Sequence, residues 1–142
     1  MAIPSDLLWQ CVKKNNAFIR KSANARTMSA EPGNLLGVHS PKYSGLANTK
    51  ALGLGTKKSG KRTRIMLTTS ALRLSRTYRP KVRLIQTGIK WNTEKAMGQF
   101  DKLMGAAFYR PGLMALAKEK HARLRRSFRK NKAAAKRKVV KK

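Results

Sequence analysis

The 142 residues carry 34 Lys or Arg against five Asp or Glu, a net charge of +29 with a pI near 11.7. That length holds one domain and an appendage, and self-repulsion of this size works against a compact free state unless a polyanion neutralises it. Hydrophobic residues still make up 41% of the chain, which excludes a protamine-like coil, and no apolar run approaches the roughly 20 residues that span a bilayer.

The chain opens with Pro4 to Val12, which predicts a short helix. Ser5 is placed to cap it, Asp6 suits the positive end of its dipole, and Leu8, Trp9 and Val12 fall on an inward face. Trp9 can alternatively stack on a base. Cys11 has no second cysteine for a disulfide and, even with His39 and His121, makes no four-ligand zinc site. It is expected as a small buried apolar residue. Asp6 argues against a secretory signal. The acid-free, basic stretch 13–30 leaves a mitochondrial presequence as an alternative to the cytosol and nucleus. Lys13 and Lys14 form a basic turn, and strands are expected at Ala17 to Lys21 and Arg26 to Ala30.

From Pro32 to Thr93 there is not one acid among 62 residues, while thirteen are Lys or Arg. A stretch with one sign of charge takes its counter-charge from another molecule. Glu31-Pro32-Gly33-Asn34 predicts a turn, because Pro presets the first central position and Gly permits a positive φ at the second. A second turn at Ser40 to Leu46 sets Lys42 beside Tyr43, a pair able to hold phosphate and stack a base, although Tyr43 can equally cover a sheet. Strands are expected around Ala51 to Gly55 and Ile65 to Thr69. Between them Thr56 to Arg64 reads as an RNA-contacting loop carrying Lys57, Lys58, Lys61, Arg62 and Arg64. Neither a Walker loop nor a dinucleotide-binding glycine pattern is present. From residue 71 to 92 the chain reads as an extended basic arm with Arg73, Arg76, Arg79, Lys81 and Arg83, in which Pro80 breaks any long helix.

Thr93-Glu94 opens a clearer helix, with Met97, Phe100, Met104, Ala107 and Phe108 along one apolar face. Pro111 is expected to end it and to begin another. The second helix sets Leu113, Ala117, His121, Leu124 and Phe128 on one face. Lys120, Arg123, Arg125, Arg126, Arg129 and Lys130 lie mainly around the rest, and His121 is expected to be packed rather than catalytic. The last 25 residues hold thirteen Lys or Arg and only Glu119 as an acid. Beyond Lys130 there are helix-forming alanines but no apolar face, so the tail is expected to be disordered alone and ordered on a partner. Lys136-Arg137-Lys138 is also compatible with nuclear import.

Five carboxylates, two histidines and one cysteine, scattered without any dyad, triad or metal-ligand spacing, predict no enzyme, no catalytic residue, no cofactor and no metal. The remaining classes are a structural RNA-binding protein, a chromatin-like duplex binder and a protein-interaction adaptor.

Three blocks carry a resemblance. Asp6-Leu7-Leu8-Trp9 leading to Asn16-Ala17-Phe18-Ile19-Arg20-Lys21, then Met28 to Leu35, then Ser40 to Asn48 resemble, in order and spacing, the eukaryotic large-subunit ribosomal protein number twenty-eight family. Tyr109-Arg110-Pro111 before a basic helix is similar to that family's C-terminal region. The resemblance covers residues 6–54 and about 109–130 and leaves 55–93 unmatched, so RNA contacts there are inferred from charge alone. It implies a component of the cytosolic 60S subunit that binds large-subunit rRNA beside neighbouring 60S proteins, after nucleolar passage, with no membrane and no small-molecule substrate. A related ribosome-assembly factor family shares the N-terminal fold but carries metal-suited cysteines, from which this chain departs. The expected architecture is α+β: an N-terminal α+β unit at 1–70 with a small antiparallel sheet and a short helix, a basic arm at 71–92, and a region at 93–142 with two helices and a basic tail. The expected rRNA contacts are Lys13, Lys14, Lys42, Tyr43, Lys57, Lys58, Lys61, Arg62, Arg64, Arg73, Arg76, Arg79, Lys81, Arg83, Arg110, Lys120, Arg123, Arg125, Arg126, Arg129 and Lys130.

Overall fold

The computed structural model describes residues 3–60, 62–71, 73–77, 79–105 and 108–140, and its contacts divide the chain into two compact units, Met1–Gly88 and Ile89–Lys142. The fold is mixed α and β, with two small antiparallel sheets.

In the first unit, helix α1 spans Ser5–Lys13. Pro4, extended at φ −60° and ψ 140°, occupies the position before the first turn, so Ser5 lies inside the helix and makes no side-chain cap, contrary to expectation. Leu8, Trp9 and Val12 are only half-buried. The helix is held along one side, where the Trp9 and His39 rings lie 4.9 Å apart and His39 Nε2 is 2.9 Å from the Lys13 carbonyl. Leu7 is left 58% exposed, and Cys11 is exposed rather than buried as expected.

Strands β1 (Ile19–Ser22) and β2 (Ala25–Ser29) pair antiparallel within a residue or two of their expected places. Residues 37–39 run along β2, with Ser29 N–H donating to the Gly37 carbonyl at 2.7 Å and His39 N–H to that of Thr27 at 3.2 Å. The second sheet has the order β3-β4-β5, from β3 (Leu52–Ser59), β4 (Arg62–Ser70) and β5 (Leu84–Ile89). The stretch 56–64, expected as a loop, is therefore the outer half of a β-hairpin: the ladder continues to Ser59 opposite Arg62, and Gly60, at φ +56°, lies in the turn.

The expected extended arm is a closed excursion. Helical turns α2 (Leu74–Thr77) and α3 (Pro80–Arg83) follow one another, Ala71 N–H donates to the Arg83 carbonyl at 2.7 Å, and the chain then enters β5. Pro80 sits in the first turn of α3, where its missing N–H does no harm. Periodic basic residues concealed these single turns, which are too short to leave a helical stripe in the sequence.

The core of this unit joins the β3–β4 sheet to the 35–51 segment through Leu35, Val38, Ala47, Ala51, Leu54, Ile65 and Leu67, all buried. Three backbone segments meet there with no side chain between them. Gly33 has φ +80°, a Cβ on Gly45 would lie 2.2 Å from the Pro32 carbonyl oxygen, and one on Gly53 would lie 2.9 Å from Gly33 Cα. The contact fixes how the 31–34 turn crosses the 44–46 turn and β3.

Beside it, Glu31 is 5% exposed, a buried carboxylate in a chain poor in acids. Its oxygens accept from Asn34 Nδ2 at 3.1 Å, Ser44 Oγ at 3.0 Å and Leu46 N–H at 3.4 Å. Asn34 extends the network to the Val38 carbonyl and the Gly37 N–H, at 2.9 and 2.8 Å. A charged acceptor surrounded by neutral donors can stay buried because each oxygen is satisfied.

In the second unit, α4 spans Thr93–Phe100, and Asn92 Oδ1 accepts from Glu94 N–H at 3.1 Å as its cap. Phe100 and Met104 are fully buried and Met97 half-buried, so the expected apolar face is present as far as Met104, with Ala96 buried beside it. It does not reach Phe108. The helix widens into a π-helical turn, Asp101–Gly105, Tyr109 N–H donates to the Met104 carbonyl at 2.8 Å, and Phe108 turns out at φ 44°. Ala107 lies outside the described residues. Pro111 thus does not end α4, but it does open a 3-10 turn, Pro111–Leu113, that runs into α5, Met114–Val140. The α5 helix passes through the alanine-rich stretch beyond Lys130, and its expected face is present: Leu113, Ala117 and His121 are buried, Leu124 and Phe128 half-buried.

His121 packs edge-on against Phe100 at 5.8 Å between ring centroids, is fully buried, and neither ring nitrogen has a hydrogen-bond partner among the described residues. Desolvation lowers its pKa from the ordinary 6.5 and Arg125 adds to the effect, while a backbone group of Lys90 opposes it without reaching hydrogen-bond geometry. A histidine whose folded pKa is depressed stabilises the fold above its unfolded pKa, and that contribution is lost as pH falls toward the folded value. The expected result is that the second unit melts at lower temperature at pH 5.5 than at 7.5, and that His121→Phe flattens this difference. An unchanged pH dependence in the variant would refute the assignment.

Candidate nucleic-acid interface

The β3–β4 hairpin supplies a group of cations in a defined register. In the β3–β4 ladder Lys57 is directly opposite Arg64 and Ser59 opposite Arg62, whereas Leu54 pairs with Leu67 and Thr56 with Ile65. Side chains alternate along each strand, so Lys57, Arg62 and Arg64 share one face and the Leu54, Ile65 and Leu67 core lies on the other. All three cations are exposed and, among the described residues, have no acidic partner. Like charges directly opposite each other weaken a ladder, so the arrangement is favourable only when an anion lies over it. Lys58 pairs with Thr63 on the core-side parity, beyond the end of the core, and is exposed; Lys61 lies outside the described residues.

The other expected contacts are dispersed. Lys13 and Lys14 are exposed at the C-terminal end of α1. Lys42 is exposed with its Nζ over the half-buried Tyr43 ring, 5.8 Å from the ring centroid, which places an ammonium and an aromatic face together at one turn. Arg73, Arg76, Arg79 and Lys81 are exposed around α2 and α3. Arg83 has an intramolecular role: its Nη2 donates to the Leu46 carbonyl at 3.0 Å, with the Asn48 and Gly45 carbonyls at 3.4 and 3.5 Å, tying the 45–48 segment to the start of β5.

In the second unit Arg110 is half-buried in a left-handed conformation and Arg126 is exposed. Arg123 pairs with Glu119 at 2.6 Å, and Arg125 donates to Thr93 Oγ1. Lys120 is half-buried, and desolvation lowers its pKa. Arg129 and Lys130 lie on the α5 backbone, with side chains outside those described. Arg20, Lys21 and Arg26, which the sequence pattern marks only as strand residues, are exposed on the β1–β2 hairpin and add to the cations. Among the described residues no three His, Cys, Asp or Glu side chains form a group that could hold a metal, and no helix is long and apolar enough to cross a membrane.

Over 136 residues the chain is 36% identical to the large ribosomal subunit protein eL28 of Dictyostelium discoideum, covering 96% of this chain and 97% of that protein. Over 55 residues it is 42% identical to the eL28 of Caenorhabditis elegans, covering 38% of this chain and 44% of the relative. Over 56 residues it is 36% identical to that of Schizosaccharomyces pombe, covering 38% and 42%. The model of the ribosomal L28e protein family matches residues 7–127, a span that takes in the hairpin and excursion left unmatched by the sequence motifs, and the chain belongs to that family.

Proposed function

We propose that this protein is a structural constituent of the large ribosomal subunit that binds and stabilises folded large-subunit rRNA. It acts in the cytosolic 60S particle beside neighbouring ribosomal proteins, enters that particle during nucleolar assembly, and works by binding rather than by catalysis. Family membership supports the ribosomal setting, and the observation that carries the RNA reading is the unbalanced face of Lys57, Arg62 and Arg64 on the β3–β4 hairpin. Arg62 and Arg64 can hold phosphate through two parallel hydrogen bonds, while Lys57 and Lys58 act as point charges. The exposed cations of the 71–83 excursion and of α5 extend the contact, and the stretch of α5 beyond Lys130 is stabilised on RNA, since an apolar face that could hold it on the protein is missing there.

If about ten phosphates are neutralised, log affinity for rRNA falls against log salt with a slope near −7 to −9. Replacing Lys57, Arg62 and Arg64 together by Ala makes that slope shallower by about 2 to 3. Filter binding over a salt series measures both, and a wild-type slope near zero would end the electrostatic account. Sedimentation after a high-salt wash tests the setting: the protein stays with 60S particles, and finding it with chromatin instead would replace this reading.

A further inference from the structure

Among the described residues Phe108 is the most exposed large hydrophobic side chain. Tyr109 is 4% exposed and Phe100 fully buried, but Phe108 between them in the chain is 79% exposed. The turn holds it there. Phe108 N–H donates to the Gly105 carbonyl at 3.2 Å, and φ values of 44° at Phe108 and 54° at Arg110 put the residues on both sides of buried Tyr109 in the left-handed region. Side chains of this size rarely adopt that conformation, and glycine or asparagine would complete the same turn with less strain. The chain keeps a phenyl ring facing water against both backbone preference and the hydrophobic effect, a combination that marks binding positions.

The chemistry around the ring indicates what it meets. Residues 89–142 hold seventeen Lys or Arg against three acids, with Lys102 exposed on the π-helical turn and Arg110 two residues beyond the ring. A protein partner would need a contiguous apolar patch. Among the described residues, the other large hydrophobics exposed in this unit are Leu103, at 40%, and Trp91, whose ring already lies 5.4 Å from that of Phe128. One planar ring in a strongly cationic setting suits a nucleobase, which stacks through its face while its phosphates meet the cations.

We infer that Phe108 is a stacking platform for a single unpaired base of the bound RNA. This rests on the RNA-binding reading above but concerns a different unit from the hairpin, so the two can fail separately. The test uses the full-length chain bound to refolded large-subunit rRNA, with ultraviolet cross-linking mapped by mass spectrometry and affinities measured by filter binding. A cross-link from Phe108 to one nucleotide is expected. Phe108→Leu, which keeps apolar contact but removes the π-face, should weaken binding about 5- to 150-fold without changing the salt slope, and Phe108→Trp should restore it. Equal melting temperatures for the three proteins would show that folding is not what the variants report. If the Leu variant binds like wild type and no cross-link forms at Phe108, the stacking inference is overturned while the RNA reading stands. Failure of the wild type to bind rRNA would overturn both. A Phe108 cross-link to protein in intact 60S particles would assign the ring to a protein neighbour instead.

Discussion

Gly45→Ala is expected to destabilise the first unit by about 3 kcal/mol, the upper end for overpacking a closed core. The added Cβ would sit 2.2 Å from the Pro32 carbonyl oxygen and 2.9 Å from the Gly33 carbonyl carbon, and both neighbours are backbone. No rotamer change relieves such a clash. The 31–34 and 44–46 turns must separate, and with them the contact between Gly33 and β3. For a unit of this size the change corresponds to a melting temperature lower by roughly 12–24 °C. Gly55→Ala is the control, since nothing lies within 4 Å of its added Cβ. Thermal melts of both variants in high salt, where self-repulsion is screened, decide the matter, and equal melting of the two would show that the glycine contact is not what holds the turns.

The second large effect belongs to Glu31. Glu31→Ala leaves Ser44 Oγ and Leu46 N–H without their acceptor and deprives Asn34 Nδ2 of one of its two, so a loss of about 3 kcal/mol is expected, as for breaking a buried, charge-assisted network. Glu31→Gln keeps the shape and one acceptor oxygen but points an amide at donors on the other side, and about 1–2 kcal/mol is expected. Denaturant unfolding of the two variants gives the order. Surface carboxylates behave otherwise: Asp101→Asn breaks only the exposed pair with Lys118, a class worth about 1 kcal/mol or less. A Glu31→Ala loss no larger than that of Asp101→Asn would reduce Glu31 to an ordinary side chain.

Much of the fold was legible wherever the residues impose a local rule. The turn at Glu31 to Asn34, the α4 stripe through Met104 and the α5 stripe from Leu113 to Phe128 follow from Pro and Gly chemistry and from helical spacing, and the structure contains them. What escaped were features set by distant partners. The outer β3–β4 ladder read as a loop because Lys57, Lys58 and Arg64 have poor strand patterning, and only the pairing begun by Leu54 and Leu67 carries the strands outward. The 71–83 excursion read as an arm because its closing bond, from Ala71 to Arg83, joins residues twelve apart that show no common motif. At the interface, composition announced the positive charge but not its use: Arg83 sits among carbonyls, Arg123 meets Glu119, and Phe108 leaves the helix face that its spacing assigned to it.

The division at Gly88 and Ile89 splits the charge almost evenly, with seventeen Lys or Arg in each unit against two acids in the first and three in the second. On the rRNA-binding reading proposed above, two comparably charged units on one chain act as a bivalent ligand, so release requires both to let go together and residence exceeds what either contact gives alone.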